Sequence, residues 1–320
     1  MIYKNNESVV LGVDIGGTNT VYGIVGKDGN IYKHQTMDTD GSLSASNLVD
    51  RINLSVDKFL RKNKKMEIVG VGIGAPNGNH FTGVIENPPN LNWGKVNIVD
   101  LFKTKYDVKI VLTNDANAAA LGEKCYGLAR EMDDFILITL GTGLGSGIFS
   151  GGKLVYGHDG FAGEMGHMVI DSKGRDCNCG NQGCLESYVS ANGIKKTIEV
   201  LFKKYPDDKL LNQIRIKGMD GELLDNEFDC GNQMAGKIYE ITGDSLGLGL
   251  AQAATLLNPE AFIFYGGISK AGDRILKFAK RSMDNHLLKV QSDTIKLLYS
   301  ALPGGKAGVL GAASLIWSPM

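Results

Sequence analysis

Short apolar runs that end in glycine-rich turns recur along the chain and predict buried strands. Val9–Val13 leads into the turn Asp14-Ile15-Gly16-Gly17-Thr18-Asn19, after which Thr20–Val25 is a returning strand. Phe135–Leu140 leads in the same way into Gly141-Thr142-Gly143 and a further apolar run. Glycine at the end of a strand allows a tight turn and close backbone approach. Two such units predict a duplicated strand–turn–strand element.

A third glycine-rich run, Ile68–Gly78, contains a G-x-G-x-x-A match to the dinucleotide-binding fingerprint. That fingerprint needs a helix to open directly after the glycines, because the pyrophosphate sits at the helix N-terminus. Here Pro76 and Asn77-Gly78 follow at once. We therefore reject a dinucleotide site and expect a buried parallel strand that ends in a loop.

Helical spacing follows several of the strands. Val108–Leu112 predicts a strand that enters an alanine-rich helix, which Thr113 or Asn114 can cap. Gln233–Leu257 is apolar at helical spacing and is expected to be a core helix. A buried strand, Ala261–Tyr265, precedes Gly266-Gly267 and a helix that starts near Ser269, and Lys306–Trp317 is a last helix.

This alternation of strands and helices is typical of an α/β protein. The chain has 320 residues, and about 100–200 residues per domain predicts two domains. We expect a small N-terminal α/β domain over residues 1–117, with a C-terminal helix (about 305–320) that packs back on it. Residues 118–304 are expected to form a large α/β domain that carries a zinc-binding loop.

Composition narrows the possible partners. With 34 basic and 35 acidic residues the net charge is −1, which gives no reason to expect nucleic acid or an anionic membrane as partner. The sequence shows no signal peptide and no long apolar run, so we expect a cytoplasmic protein. In a reducing compartment, cysteines more often bind metal or stay as thiols than form disulfides.

Three cysteines and one histidine have the spacing of a metal site. Cys177, Cys179 and Cys184 follow His167 in a loop of Gly, Asn and Asp. Four ligands of this kind suit tetrahedral Zn²⁺. A site with four protein ligands has no open position for water, so we expect a structural zinc that fixes the loop carrying Glu164 and Glu186.

The glycine-rich turns and their neighbours suggest phosphate chemistry. Backbone N–H groups at Gly16 and Gly17 and the hydroxyl of Thr18 suit an anion, and Asp14 could hold Mg²⁺ through oxygen. An ordinary glycine-rich hairpin explains one such turn equally well. Gly266-Gly267 could accept a flat adenine ring or could be only a tight turn.

Asp115 is the candidate general base. It follows the helix cap directly, and the helix dipole favours an ionised carboxylate there. A plain helix cap would have the same sequence. Asn77 and Asn87 lie in predicted loops with hydroxyl-binding capacity, although turns often use Asn for their own backbone.

Four motifs together resemble the ROK family of sugar kinases and repressors. They are Asp14-x-Gly16-Gly17-Thr18, the pair Asn114-Asp115, Glu164-x-Gly166-His167 and the run from Cys177 to Glu186. The resemblance extends from Val9 to Trp317 and implies a two-domain, actin-like (ribonuclease-H-like) ATPase fold with an interdomain cleft. It also implies a homodimer.

The resemblance implies roles for individual residues. Asp115 would take the proton from the 6-hydroxyl of a sugar. Asn114, Glu164, His167 and Glu186, together with the loop residues Asn77 and Asn87, would bind the other hydroxyls. The ATP site would include Mg²⁺ at Asp14 and the residues Gly16, Gly17, Thr18, Gly141, Thr142, Gly143, Gly266 and Gly267.

The expected activity is that of an ATP-dependent hexose kinase that phosphorylates glucose in cytoplasmic carbohydrate metabolism. The stretch Asn90–Trp93 and the Glu164/His167/Glu186 set resemble glucokinases more than N-acylmannosamine kinases. N-acetylhexosamine kinases and fructokinases are the alternatives. A sugar-responsive repressor of the same family would need a DNA-binding helix-turn-helix ahead of the core, and only eight residues precede the first strand.

Overall fold

We describe residues 6–89, 91–302 and 304–318 of the chain from a computed structural model. The chain divides into two compact units. The first comprises the described residues up to Asp133, Gly147–Ala162 and the described residues from Ser300 onward, and the second comprises Asp134–Ser146 and Gly163–Tyr299. A domain boundary at residue 117 stays a prediction.

Up to Tyr126 the chain alternates strands and helices in chain order. These elements are β1 (Glu7–Ile15), β2 (Asn19–Gly26), β3 (Ile31–Asp38), α1 (Ala45–Lys62), β4 (Met66–Gly74), β5 (Val84–Glu86), β6 (Lys95–Asn97), α2 (Ile98–Lys103), β7 (Lys109–Thr113) and α3 (Asp115–Tyr126).

The rest of the chain begins with three strands and continues mainly as helices. These elements are β8 (Phe135–Leu140), β9 (Leu144–Ser150), β10 (Lys153–Leu154), α4 (Glu186–Val189), α5 (Ala191–Lys204), α6 (Lys209–Lys217), α7 (Gly221–Asp229), α8 (Gln233–Leu257), β11 (Ala261–Tyr265), α9 (Asp273–His286), β12 (Lys296–Tyr299) and α10 (Ala307–Trp317). Single 3₁₀ turns span Met165–His167, Ile268–Ala271 and Lys289–Gln291.

The sheet of the first unit has the strand order β3-β2-β1-β4-β7. β1 is antiparallel to β2, with Ile15 opposite Thr20, so the first predicted strand–turn–strand element is present. β4 is parallel to β1 and β7 and ends in a loop, as the sequence predicts for Ile68–Gly78. Because β1, β4 and β7 run in parallel, their carboxyl ends, which carry Asp14, Gly74 and Thr113, lie at one edge.

Close backbone packing fixes α10 against this sheet. A methyl group built on Gly72 would lie 1.8 Å from the carbonyl oxygen of Ala312, and one on Gly12 would lie 2.4 Å from that of Val309. On another face of α10, a methyl group on Gly311 would lie 2.1 Å from the carbonyl oxygen of Ala118 in α3. These distances exclude any side chain at the three positions.

The second unit is built on β8, β11 and β12, which are parallel. They belong to a sheet of strand order β10-β9-β8-β11-β12. The predicted long helix is α8, whose Gly243 and Gly247 allow the backbone of α9 to approach closely. Asn258 ends α8 in a left-handed conformation, which asparagine tolerates better than most residues. Within the described ranges, no helix combines the length and apolar composition that a membrane crossing requires.

Candidate functional site

Asp115 is the first residue of α3 and follows the carboxyl end of β7. Of the two possible caps it is Asn114 that caps the helix: its Oδ1 accepts from the N–H of Asn117 at 2.6 Å. Asp115 is exposed at the surface, but dense protein around its carboxyl removes much of the water. This desolvation raises the pKa of Asp115, and hydrogen bonds from the N–H groups of Ala116 and of Asp115 itself only partly oppose it. A carboxylate that reaches solvent and holds its proton more tightly than usual suits a general base near neutral pH.

Asp14 lies close to Asp115. A methyl group built on Gly74 would lie 3.7 Å from Cα of Asp115 and 3.8 Å from Oδ1 of Asp14. Burial raises the pKa of Asp14 to about 7, and the negative charge of Asp115 adds to the effect. The carboxylate also contacts the first turn of α10, where a methyl group on Gly308 would lie 1.9 Å from Oδ2. Two neighbouring carboxyls of this kind form a donor set that fits Mg²⁺.

The first Gly/Thr turn, residues 16–18, is held by hydrogen bonds to Asn19 and Thr39. The N–H of Gly16 donates to the carbonyl oxygen of Asn19 at 2.9 Å. The N–H of Thr39 donates to Thr18 O at 2.8 Å, and its hydroxyl donates to Gly16 O at 2.8 Å. Thr18 itself is exposed. The turn is therefore fixed by the N–H of Gly16 and by the carbonyl groups of Gly16 and Thr18. The Gly16 N–H, which the sequence analysis expected to face an anion, is already paired, whereas the Thr18 side chain is accessible to a ligand.

The second Gly/Thr turn, residues 141–143, is held from a different direction. The N–H of Gly141 donates to Gly143 O at 3.0 Å, and Gly141 O accepts from the N–H of Ala191 at 2.9 Å. The N–H of Leu144 donates to Oε2 of Glu186 at 2.8 Å. Thr142 is exposed. Backbone carbonyl groups again hold the turn, while the Glu186 carboxylate fixes Leu144, the residue that follows it.

After β11, Gly266 is packed against the backbone, whereas Gly267 has open space beside it. Gly266 has φ +111°, and a methyl group there would lie 2.4 Å from Leu140 O, whereas Gly267 has no atom within 4 Å of such a methyl group. Ser269 closes the turn by donating its hydroxyl hydrogen to Gly266 O at 2.6 Å. Backbone strain and packing thus require glycine at Gly266, and open space beside Gly267 is compatible with a bound ring.

The four expected metal ligands converge. The ligand atoms of His167, Cys177, Cys179 and Cys184 all lie within 4.8 Å of one another. The Sγ atoms of Cys179 and Cys184 are 3.7 Å apart, and Sγ of Cys177 is 3.8 Å from Nδ1 of His167. A tetrahedral Zn²⁺ with Zn–S bonds of ~2.3 Å spaces its sulfur ligands about 3.8 Å apart. The chemistry and spacing of these donors therefore fit Zn²⁺.

His167 connects this cluster with Glu164. Both residues belong to one tight turn, in which the N–H of His167 donates to Glu164 O at 3.0 Å. Nδ1 of His167 faces Cys177, whereas Nε2 lies 3.9 Å from Oε2 of Glu164. One nitrogen is thus placed for a metal and the other for a different partner, as the expected double role of His167 requires.

Asn77 and Asn87 adopt left-handed backbone conformations, with φ of 54° and 45°. The side-chain Nδ2 of Asn77 donates to Glu86 O at 3.0 Å and to Asn87 O at 3.2 Å. The amide nitrogen of Asn77 therefore holds the loop, and a sugar contact through Asn77 would use the remaining oxygen. In the stretch 90–93, Asn90 lies outside the described residues.

Three polar residues lie around the β7–α3 junction; the sequence analysis considered one of them, Thr113, only as a helix cap and did not single out the other two. Thr113, Asn117 and Tyr156 carry buried side-chain atoms with no hydrogen-bond partner in the part of the chain that the structure describes. Burial raises the pKa of Tyr156 to about 12. Tyr156 stacks on His80 with ring centroids 4.1 Å apart. Of these three residues, only Tyr156 could have been noticed in the sequence, as an aromatic residue inside a polar loop, and this signal is weak.

The structure therefore groups the expected residues within each unit. In the first unit, Asp14, the turn 16–18, Asn114 and Asp115 lie at or just beyond the carboxyl ends of β1 and β7. In the second unit, Glu186 follows Cys184 by two residues and accepts the N–H of Leu144, directly after the turn 141–143. Asn77 lies in the loop after β4 and is hydrogen-bonded to Asn87, and Ala75 of that loop donates its N–H to Thr113 O at the end of β7 at 3.0 Å.

Comparisons with known proteins agree over nearly the whole chain. The model of the ROK family matches residues 10–318. A glucokinase from Thermotoga maritima is 34% identical over 313 residues, which cover 96% of each chain. The xylose repressor of Bacillus subtilis is 28% identical over 321 residues and is matched over 79% of its length.

A solved structure is similar in fold. The ROK family glucokinase from Streptomyces griseus, in complex with glucose and AMPPNP, aligns with a TM-score of 0.79 at 33% identity and covers 96% of this chain and 98% of its own. The expected α/β class with a two-domain, actin-like fold is confirmed by this likeness and by the mixed sheets. The chain belongs to the ROK family.

Proposed function

We propose that the protein is an ATP-dependent hexose kinase that transfers the γ-phosphate of ATP to the 6-hydroxyl of glucose. The carrying observation is the carboxyl of Asp115, which is exposed at the start of α3 and has its pKa raised by its surroundings. Relatives named glucokinase at 34% identity support the same activity.

The chemistry asks mainly for alignment and charge neutralisation. Asp115 accepts the proton of the attacking hydroxyl while that oxygen approaches the γ-phosphorus. A carboxylate whose pKa is raised, as that of Asp115 is, accepts a proton in the transition state more readily than an ordinary aspartate. Asn114, whose Oδ1 is already bound to Asn117, keeps its amide N–H groups to donate to a neighbouring sugar hydroxyl.

The nucleotide is held by the two Gly/Thr turns. The hydroxyls of Thr18 and Thr142 donate to phosphate oxygens, and adenine lies against the open face of Gly267. Mg²⁺ bound through Asp14 would supply positive charge to the phosphates. Its binding would also favour the ionised form of Asp14, whose pKa is raised to about 7 by burial and by the charge of Asp115.

The remaining residues bind the hexose. Glu164, Glu186 and Nε2 of His167 accept or donate to ring hydroxyls, and Asn77 and Asn87 contribute from their loop. Zn²⁺ in the His167–cysteine cluster would have no open position for water, so it would fix the loop. Discrimination among hexoses depends on a few such hydrogen bonds, because an unpaired polar group in the site strongly disfavours the wrong sugar.

A substrate panel in a coupled ADP-release assay tests the proposal. Purified protein with ATP and Mg²⁺ is given glucose, mannose, fructose, N-acetylglucosamine and N-acetylmannosamine in turn. We expect the highest kcat/KM with glucose, and a product that glucose-6-phosphate dehydrogenase oxidises. Preference for an N-acetylated hexosamine would move the assignment to the N-acetylhexosamine kinases. A structure from Listeria monocytogenes that is named as an N-acetylmannosamine kinase is similar to this chain at 26% identity and a TM-score of 0.75.

One alternative is a sugar-responsive repressor without kinase activity, which the xylose repressor relatives favour. Hexose binding without any hexose-dependent ADP release would support that alternative and contradict the proposed enzyme.

A further inference from the structure

The carboxylate of Glu186 forms a hydrogen bond with Leu144 and packs against Gly143. Its Oε2 accepts the N–H of Leu144 at 2.8 Å. The same oxygen lies 2.4 Å from the place where a methyl group on Gly143 would be. One oxygen of a residue proposed to bind hexose is thus already bound to the turn proposed to bind nucleotide.

We propose that Glu186 is a positioning residue for the turn 141–143 and couples hexose binding to nucleotide binding through this one carboxylate. The inference rests on the proposed kinase function. It adds that the protein binds hexose more tightly when the turn 141–143 is undisturbed. The protein also binds nucleotide more tightly when the Glu186 carboxylate is present.

The turn depends on the contact because Leu144 is buried. A buried N–H needs an acceptor, and leaving one unpaired costs far more than an exposed hydrogen bond contributes. With Glu186 in place, the N–H of Leu144 is paired and the backbone between β8 and β9 has a fixed course. A turn that is already fixed loses less conformational entropy when a phosphate binds to it.

Hydrogen bonds to the neighbouring residue Ser187 fix the backbone beside Glu186. The N–H of Ser187 donates to Cys184 O at 2.9 Å, so the backbone beside Glu186 is tied to a metal ligand. The guanidinium of Arg175 donates from Nη1 to Ser187 O at 3.0 Å and to Gly193 O at 2.9 Å. These bonds hold the backbone of the short helix α4 against the cysteine loop (residues 177–184) and the start of α5, so the position of the Glu186 carboxylate depends on its side-chain torsions and on what the carboxylate binds.

The second oxygen of Glu186 faces elsewhere. Oε1 would lie 4.0 Å from a methyl group on Gly143, against 2.4 Å for Oε2. Oε1 is therefore the atom that remains for a hexose hydroxyl. Because both oxygens belong to one rigid group, a hexose that orders the carboxylate also orders the N–H acceptor of Leu144. Such coupling between two ligands is reciprocal.

The first arm of the test changes the nucleotide turn and measures hexose. Gly143→Ala places a methyl group on the Glu186 carboxylate, so we expect glucose binding without nucleotide, measured by isothermal titration calorimetry, to weaken by roughly 5- to 100-fold. The matched control is Gly141→Ala, because its methyl group would meet no atom within 4 Å. Glucose affinity that is equal in the two variants would overturn the proposal.

The second arm changes Glu186 and measures nucleotide. Glu186→Ala leaves the N–H of Leu144 without its acceptor, and we expect AMPPNP with Mg²⁺, titrated without hexose, to bind roughly 5-fold more weakly or worse. Glu186→Gln keeps an acceptor oxygen, so it should restore nucleotide affinity while glucose affinity stays low. A residue that only contacts sugar would leave nucleotide affinity unchanged in both variants, and that result would contradict the proposal.

Wild-type titrations separate this proposal from the proposed function. If the wild-type protein binds neither glucose nor AMPPNP, the kinase assignment is wrong. If it binds both and the two arms show no cross-effect, the kinase assignment stands and the coupling is wrong. Circular dichroism and zinc content of each variant show whether a loss comes from unfolding instead.

Discussion

At the scale of single residues, the most informative feature is the pair Asp14 and Asp115. Two carboxyls that share one environment cannot both ionise as easily as either could alone. Loss of surrounding water raises the pKa of both carboxyls, and that of Asp14 reaches about 7. This arrangement costs stability in the free protein and becomes favourable when a cation or a proton neutralises it. A site that is destabilised until its ligand binds is typical of function.

Replacing Asp14 should reveal that cost as a dependence of stability on pH. An unfolded Asp ionises near 3.8, whereas folded Asp14 keeps its proton up to about 7. The folded state is therefore favoured by proton binding at low pH, and this contribution is lost as pH rises from about 4 to about 7. We expect the Tm of Asp14→Asn, without Mg²⁺ or ATP, to exceed that of the wild type at pH 8 and the difference to shrink towards pH 4.

Differential scanning calorimetry across this pH range measures the effect. Asp207→Asn, at an exposed position, controls for the loss of one carboxylate charge. A Tm difference for Asp14→Asn that is constant with pH would show that the carboxyl is not perturbed as described.

At the scale of elements, glycine determines how helices approach the sheets. α10 lies so close to β1, β4 and α3 that Gly12, Gly72 and Gly311 have no room for a Cβ atom. The same helix brings Gly308 against Asp14. Its packing therefore sets the surroundings of a candidate active-site carboxyl as well as the stability of the first unit.

Two Gly→Ala substitutions should have opposite effects on stability. Gly72→Ala would place a methyl group 1.8 Å from a backbone oxygen, and overpacking of this kind typically costs about 1–3 kcal/mol or more. Gly236→Ala, in α8 with no atom within 4 Å, should stabilise by about 0.5–1 kcal/mol, because alanine is the better helix former. Urea unfolding measures both, and equal effects would contradict the close packing of α10.

The sequence predicted the features that depend on near neighbours. The cap Asn114, the turn after β1 and the cysteine spacing are local, and the residues that form them are adjacent or a few positions apart. The contacts of Gly308 with Asp14 and of Glu186 with Leu144 join distant segments, so no local pattern contains them. Asn77 is intermediate: a loop position was predictable, but the use of its amide nitrogen on Glu86 and Asn87 depends on how the loop closes.

At the scale of the whole molecule, the proposed function depends on the His167–cysteine cluster and on the proposed ATP and hexose sites. The expected homodimer and the expected domain boundaries stay predictions. The cluster lies next to Glu186 in sequence and structure, so the metal content of the protein is a direct test of how the second unit is built.

Metal analysis with two matched variants tests the zinc prediction. We expect about one equivalent of Zn²⁺ in purified wild-type protein, because three thiolates and an imidazole complete a tetrahedral site. Cys179→Ser should lose most of the metal and lower the Tm. Cys230→Ser changes an equally exposed cysteine outside the cluster and should retain both. Less than half an equivalent in intact wild-type protein would contradict the site.

The central claim is that Asp115 acts as the base in hexose phosphorylation. The most direct measurement compares glucose-dependent ADP formation in wild-type protein and Asp115→Asn, with glucose affinity determined by calorimetry on the same samples. We predict that kcat falls by about 10²–10⁴, while the glucose dissociation constant changes far less because Asn114, Glu164, His167 and Glu186 remain. Turnover near the wild-type rate in Asp115→Asn, with glucose bound, would contradict the account.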